Sequence, residues 1–169
     1  MVNFGKEKYK DNRRLSYIKL DIETPDLPKD LANQVDHITS FYCLHWCKDI
    51  RQAFQNIFDL LRPGGTTLLV FLANCPGMNS YKELEAMPRY QPYVKDADRY
   101  IPLFQHSSEP RKTLKALVKD AGFKVHHCSI REQSYTFVNF DALSKFVLAV
   151  SPFIDLIPAD LTADYKRDL

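Results

Sequence analysis

The chain has 169 residues, 45% apolar and 26% charged, and 23 basic against 21 acidic side chains leave a formal net charge of +2. That balance describes one globular domain with a packed core and excludes a disordered or fibrous chain. The charges interleave, so no basic stripe for nucleic acid forms. Five glycines, about 3% where roughly 7% is usual, are the sharper number. None of Gly5, Gly64, Gly65, Gly77 and Gly122 falls in a G-x-G-x-x-G or G-x-x-x-x-G-K-[ST] run, so these residues contain no glycine-rich nucleotide cradle. No apolar stretch is long enough to span a membrane and no signal-peptide core opens the chain, which predicts a cytoplasmic protein without a membrane partner.

In chain order, residues 2–9 read as the end of a helix. Alternation over 15–21 predicts a strand, followed by a polar connection through Pro25 and Pro28 and a short helical turn. The β-branched and aromatic run 35–42 predicts a second strand, which breaks into Cys43-Leu44-His45-Trp46 as a functional loop. Asp49 is placed to cap a helix over 50–61, where Ile50, Ala53, Phe54, Ile57, Leu60 and Leu61 share one face. Arg62-Pro63-Gly64-Gly65 ends it. The run 66–73 is apolar without alternation, the pattern of a central parallel strand covered on both faces.

From 74 to 108 prolines and aromatics alternate in an irregular segment, expected to be a lid or binding insertion with short helices. Pro110 opens a helix to Ala121, with Leu114, Leu117, Val118 and Ala121 as its buried stripe and Gly122 as its stop. A strand is predicted over 123–130, extended by 135–138 after a bulge. Residues 140–150 read as an amphipathic helix stopped by Ser151-Pro152, and 161–169 begin a charged helical pattern. Cys43, Cys47, Cys75 and Cys128 lie in or beside apolar segments, the setting of buried free thiols. Neither Cys43-x-x-x-Cys47 nor His126-His127-Cys128 has the spacing of a common zinc module, so no metal site is expected.

Three features together resemble the class I S-adenosylmethionine-dependent methyltransferases: a strand ending in Leu20-Asp21-Ile22, a strand running into Ser40-Phe41-Tyr42-Cys43-Leu44-His45-Trp46, and a helix ending in Leu60-Leu61-Arg62-Pro63-Gly64-Gly65 before an apolar strand. The longer run from Asp36 to Trp46, with Leu69-Val70-Phe71-Leu72-Ala73 after it, is similar to the insect juvenile hormone acid branch of that family. The likeness continues through Asp96-Ala97-Asp98-Arg99-Tyr100-Ile101-Pro102 to the C-terminus.

The resemblance implies an α/β, Rossmann-like class I methyltransferase fold that is incomplete. Strands three to six are expected, while strands one, two and seven are expected to be absent, with Met1 in the helix after the second strand. In the family's order only strands four and five would be neighbours, leaving the other two without ladder partners. The alternative is an independent compact domain with its own strand order. The whole chain, 1–169, is then a partial methyltransferase domain with a lid or substrate insertion at 74–108 and a helical substrate wall at 139–169.

By the same resemblance S-adenosylmethionine is the cofactor, its binding by this chain alone doubtful. Asp21 would bond the adenine amino group, Ile22 would cover the adenine face, Phe41 would lie near the methionine moiety, and Trp46 would orient the substrate carboxyl through its indole N–H. From the residues alone Asp21 is equally a turn or cap carboxylate, and Trp46 a loop aromatic packed on the core. His45 reads as structural, because a carboxylate is already ionised at neutral pH and its methylation needs no base. Alignment and a dry site are what such a displacement requires. The substrate implied is farnesoic acid or juvenile hormone acid, held by the aromatic insertion and by the helix bearing Phe140, Leu143, Phe146, Val147 and Val150. The chain alone is expected to be inactive. The other reading is a non-catalytic module that binds a lipophilic acid or a partner protein.

Overall fold

A computed structural model describes residues 2–169; Met1, expected in the first helix, lies outside the described residues. Its elements are α1 (Val2–Lys8), β1 (Val35–Phe41), α2 (Ile50–Leu60), β2 (Leu61–Val70), α3 (Ser80–Ala86), α4 (Pro110–Asp120), α5 (Phe140–Val150) and α6 (Thr162–Asp168), with short 3-10 turns between them. The architecture is α/β. Among the described residues its sheet consists of β1 and β2, paired in parallel through a helical crossover, α2.

Helix α2 forms as its sequence dictates. The Asp49 carboxylate accepts from Gln52 N at 3.0 Å, satisfying one of the free first-turn donors, and Ile50, Ala53, Phe54 and Ile57 are buried along one face. Helix α4 ends in a Schellman motif, with Gly122 N donating to Lys119 O and Phe123 N to Val118 O. Gly122 has φ +99°, and a Cβ there would meet the Phe58 ring at 2.9 Å, so the cap leaves room for the edge-on contact of Phe58 with Phe123.

Two of the four expected strands do not form. Residues 15–21 and 123–130 run without a ladder partner, as do 135–138. Alternation reports a side-chain preference, whereas a strand exists only against a neighbour, and no strand among the described residues lies beside either segment. Leu15, Ile18 and Ile130 are correspondingly exposed. The segments are not re-paired into another order either, so the sheet of an independent four-stranded domain is not what forms.

Strand β2 also corrects its expected bounds. It starts at Leu61, which leaves α2, and the ladder passes from Val35 opposite Leu61 to His37 opposite Thr66, with residues 62–65 bulged out. Gly65 is obligatory there: a Cβ would stand 2.9 Å from both Arg62 O and Asp36 O. An ion pair at 2.9 Å between Arg62 and Asp36 spans the bulge. The strand is covered on one face only. Leu69 and, across the ladder, Ile38 pack on the core with α2, while Leu68, Val70 and Phe41 on the other face are exposed, against the expectation of burial on both sides.

Buried side chains form two clusters. One joins Leu44, Ile50, Ala53, Phe54, Ile57, Phe104, Leu117 and Ala121 under the sheet. The other brings the insertion and the chain's end together, around Tyr81, Leu84, Tyr90, Val94, Phe153 and Tyr165. The insertion is thus a packed unit rather than an open lid. Buried Gln105 clamps its ends: its amide oxygen accepts from Cys75 N at 2.8 Å, and Asn74 Nδ2 donates to Gln105 O at 2.9 Å. Tyr165 bonds Ser151 at 2.8 Å and meets Tyr90 edge to face, while the Tyr90 hydroxyl donates to Asp168 at 2.6 Å. Burial and that carboxylate push the Tyr90 phenol up to about 12.

Candidate functional site

The site starts at the carboxyl end of β1, where α/β sheets place their ligands. Tyr42 N donates to Val70 O at 2.8 Å, the last rung of the ladder, and Tyr42 itself adopts φ +52°. A bulky side chain in the left-handed region is strained, and here the turn it makes throws the chain into the 3-10 turn Leu44–Trp46. Leu44 is buried in the cluster under the sheet and Trp46 packs on the cluster of the insertion. Three residues therefore bridge the two cores.

His45, between them, is only 5% exposed, and its ring lies 4.6 Å from that of Trp46. Its Nδ1 has no hydrogen-bond partner among the described residues. Burial alone lowers its pKa, so it is neutral at neutral pH and packs as an aromatic. Cys43 is exposed and Cys47, Cys75 and Cys128 half-buried, so the expectation of buried thiols fails; all four are free. Burial first, and then the charges of Glu23, Cys43 and Asp21, push the Cys47 thiol up to about 12.

The same charges place the segment around Asp21 beside this loop. Asn56, 2% exposed, donates from Nδ2 to Ile22 O at 2.7 Å and to Thr24 O at 2.8 Å, and Glu23 Oε1 accepts from Asp49 N at 2.6 Å. An extended segment without a ladder is thus fastened by side chains of α2 and its cap. Asp21 Oδ1 accepts from Glu23 N at 3.0 Å, the turn role that its residue type suggested, and Ile22 packs on the cluster under the sheet. Phe41 points into solvent, 56% exposed.

A cleft of about 410 Å³ opens on the other side of Trp46, lined by Trp46, Arg99, Tyr100, Val150 and Pro152. Tyr100 meets Trp46 edge-on, with ring centres 6.3 Å apart, and meets Phe153 edge-on at 5.0 Å. A wider depression of about 540 Å³ lies at Lys8, Tyr9, Asp11, Asn12 and Arg13, a mostly charged and polar lining that includes none of the candidate residues. The apolar cleft beside Trp46 is the better ligand site.

Residues 1–67 match a methyltransferase domain family. The chain is 34% identical over 169 residues to the juvenile hormone acid O-methyltransferase of Drosophila melanogaster and 36% identical over 168 residues to that of Bombyx mori. These matches take in 99% of the chain. The chain is thus similar to methyltransferases along nearly its whole length. Its similarity also reaches the ubiquinone/menaquinone biosynthesis C-methyltransferase UbiE of Vibrio campbellii, at 29% over 136 residues, covering 73% of this chain and 51% of that protein. The chain spans 57% and 59% of the length of the two juvenile hormone acid relatives.

The four candidate residues are not brought together. Asn56 holds Ile22 at the edge of the cluster under the sheet, and the neighbouring Asp21 is held by Glu23 N, whereas Trp46 lines the cleft and Phe41 stands exposed apart from both. Of the helix expected as substrate wall, only Val150 lines the cleft, and Phe140 and Phe146 are exposed. Helix α5 buries no residue completely and packs on the insertion's cluster through Leu148. Arg99 was not singled out by the sequence. Its only signal is a place in Asp96-Ala97-Asp98-Arg99-Tyr100, where its charge looks cancelled by its neighbours.

Proposed function

We propose that this chain serves methyl transfer from S-adenosylmethionine to the carboxylate of a sesquiterpenoid acid, farnesoic acid or juvenile hormone acid. The observation that carries the reading is similarity along 99% of the chain to two enzymes named for that acid. The cleft adds chemistry of the right kind, with aromatic walls for an isoprenoid tail and, in Trp46, an indole N–H donor for a carboxylate.

The residues fit one part of the cofactor. Asp21 is oriented by its bond from Glu23 N and keeps its second carboxylate oxygen free for an adenine amino group; Ile22 and the exposed Phe41 ring offer apolar cover. The methionine end finds no glycine cradle: Gly65 is enclosed in the β2 bulge, Gly122 caps α4, and Gly5 lies against Tyr17. When bound, S-adenosylmethionine supplies an electrophilic methyl group. The chain's own part is to hold the carboxylate and keep water from it, and no residue has to move a proton. His45, buried and neutral, accordingly supports Trp46 and takes no acid-base role.

The test is a chimera in which these 169 residues replace the matched region of the Bombyx mori relative, incubated with farnesoic acid and methyl-labelled S-adenosylmethionine. Formation of labelled methyl farnesoate is expected; a folded chimera that binds the cofactor and forms no ester overturns the reading. The 169 residues alone are expected to give no ester, and turnover by them would refute that part. A second reading, a module that binds a lipophilic acid without turnover, is favoured by the cleft's belonging wholly to these residues. Acid binding by a chimera without ester formation would select it.

A further inference from the structure

The 3-10 turn Ala97–Tyr100 sets an unusual charge arrangement at the cleft. Asp96, at φ +56°, starts the turn, and its carboxylate bonds Lys48 at 3.2 Å. Asp98 pairs with Lys82 from α3. Both acidic neighbours of Arg99 are thus engaged by lysines from other elements, and among the described residues Arg99 has no carboxylate within salt-bridge distance. Its guanidinium lies 5.9 Å from the Tyr100 ring centre and lines the cleft with Trp46, Val150 and Pro152. Among the described residues no acidic side chain lines that cleft.

We propose that Arg99 is the anion anchor of the cleft, taking the carboxylate of an amphiphilic monocarboxylic acid whose apolar chain lies along Trp46, Tyr100 and Val150. The inference rests on the acid substrate of the proposed function and adds the group that recognises its charge. A guanidinium offers a planar fork of donors that matches a carboxylate, and it stays charged at every physiological pH. Trp46, which lines the same cleft, carries a neutral indole donor beside this charge. The arrangement discriminates by charge: an acid is attracted, while its methyl ester, equally apolar, loses the guanidinium. Arg99 therefore favours entry of the acid and departure of the ester. Lys48 and Lys82 make this possible by taking the two carboxylates that would otherwise neutralise Arg99.

Trp46 is the only tryptophan, so its fluorescence reports the cleft directly. The experiment titrates the 169-residue chain with farnesoic acid and separately with methyl farnesoate, comparing wild type, Arg99→Gln and Arg99→Lys. Arg99→Gln is expected to weaken acid binding about 3- to 10-fold, the range for an exposed to partly desolvated charge pair, and to leave ester binding unchanged. Arg99→Lys should recover part of the loss, and added salt should weaken acid binding to wild type more than to Arg99→Gln. Equal effects on acid and ester, no effect of Arg99→Gln, or no acid binding by wild type overturns the proposal. A loss confined to the acid, in a protein whose chimera forms no ester, refutes methyl transfer and leaves the anchor standing. A chimera that forms ester equally well at low acid concentration with and without Arg99 does the reverse.

Discussion

Replacing Asn56 tests whether an extended segment without a ladder is held by one buried amide. Asn56 Nδ2 donates to Ile22 O and Thr24 O at 2.7 and 2.8 Å, and Oδ1 accepts from Gln52 Nε2 at 3.0 Å. In Asn56→Leu, of similar volume, both donations vanish. At about 1 kcal/mol for each, the loss is about 2 kcal/mol, the Gln52 amide being free to turn to water. For a chain of this size that is a fall in Tm of about 4–8 °C. Asn56→Asp should be worse at pH 7, because a carboxylate then faces two carbonyl oxygens in a buried position, and it should improve relative to Asn56→Leu near pH 4, where a protonated carboxyl donates to one of them. Scanning calorimetry of the three proteins at both pH values reads this directly. An Asn56→Leu shift below about 2 °C, or an Asn56→Asp variant that tracks Asn56→Leu at both pH values, would refute the assignment. Since the same bonds fix the backbone beside Asp21, Asn56→Leu in the active chimera should raise KM for S-adenosylmethionine and leave KM for the acid unchanged.

Three further outcomes follow from single residues. Gly65→Ala puts a methyl group 2.9 Å from Arg62 O and Asp36 O, so the bulge must open, at a cost of about 1–3 kcal/mol read as a lower urea midpoint; an unchanged midpoint would show that the bulge yields freely. Burial holds His45 below its ordinary pKa of 6.5, so on acidification the unfolded chain takes the proton first. Its share of stability is intact above about pH 7 and is lost as pH falls through 6.5 toward the folded value, and His45→Phe should flatten urea midpoints between pH 7.5 and 5.5; equal slopes for both proteins would contradict this. Lys48→Ala breaks an exposed pair and should cost less than about 1 kcal/mol in stability, while lowering acid affinity in the Trp46 titration by freeing Asp96 to oppose Arg99; a large Tm loss without an affinity change would refute that division of roles.

Helices were legible because their signals are local. The Asp49 cap, the stripe from Ile50 to Ile57 and the Gly122 stop each act within one turn of the backbone, and the structure reproduces them. Strands were not, because a ladder is a contract between distant segments: 35–42 found its partner in β2, while 15–21, for all its alternation, and 123–130 found none among the described residues. The Arg62-Pro63-Gly64-Gly65 run was recognised as a turn but not as a bulge within a ladder, a difference decided by the approach of Asp36 O from another strand.

The site divides the same way. Trp46 could be singled out from its own surroundings, a lone indole after a strand end, and the structure puts it in the cleft. Arg99 could not, since read along the chain it directly follows two aspartates, Asp96 and Asp98, whose charge offsets its own. Only the fold shows that Asp96 belongs to Lys48 and Asp98 to Lys82, each from a different part of the molecule. What makes Arg99 available to a ligand is therefore a property of its neighbours' partners, and charge complementarity of that kind is invisible until the chain has folded.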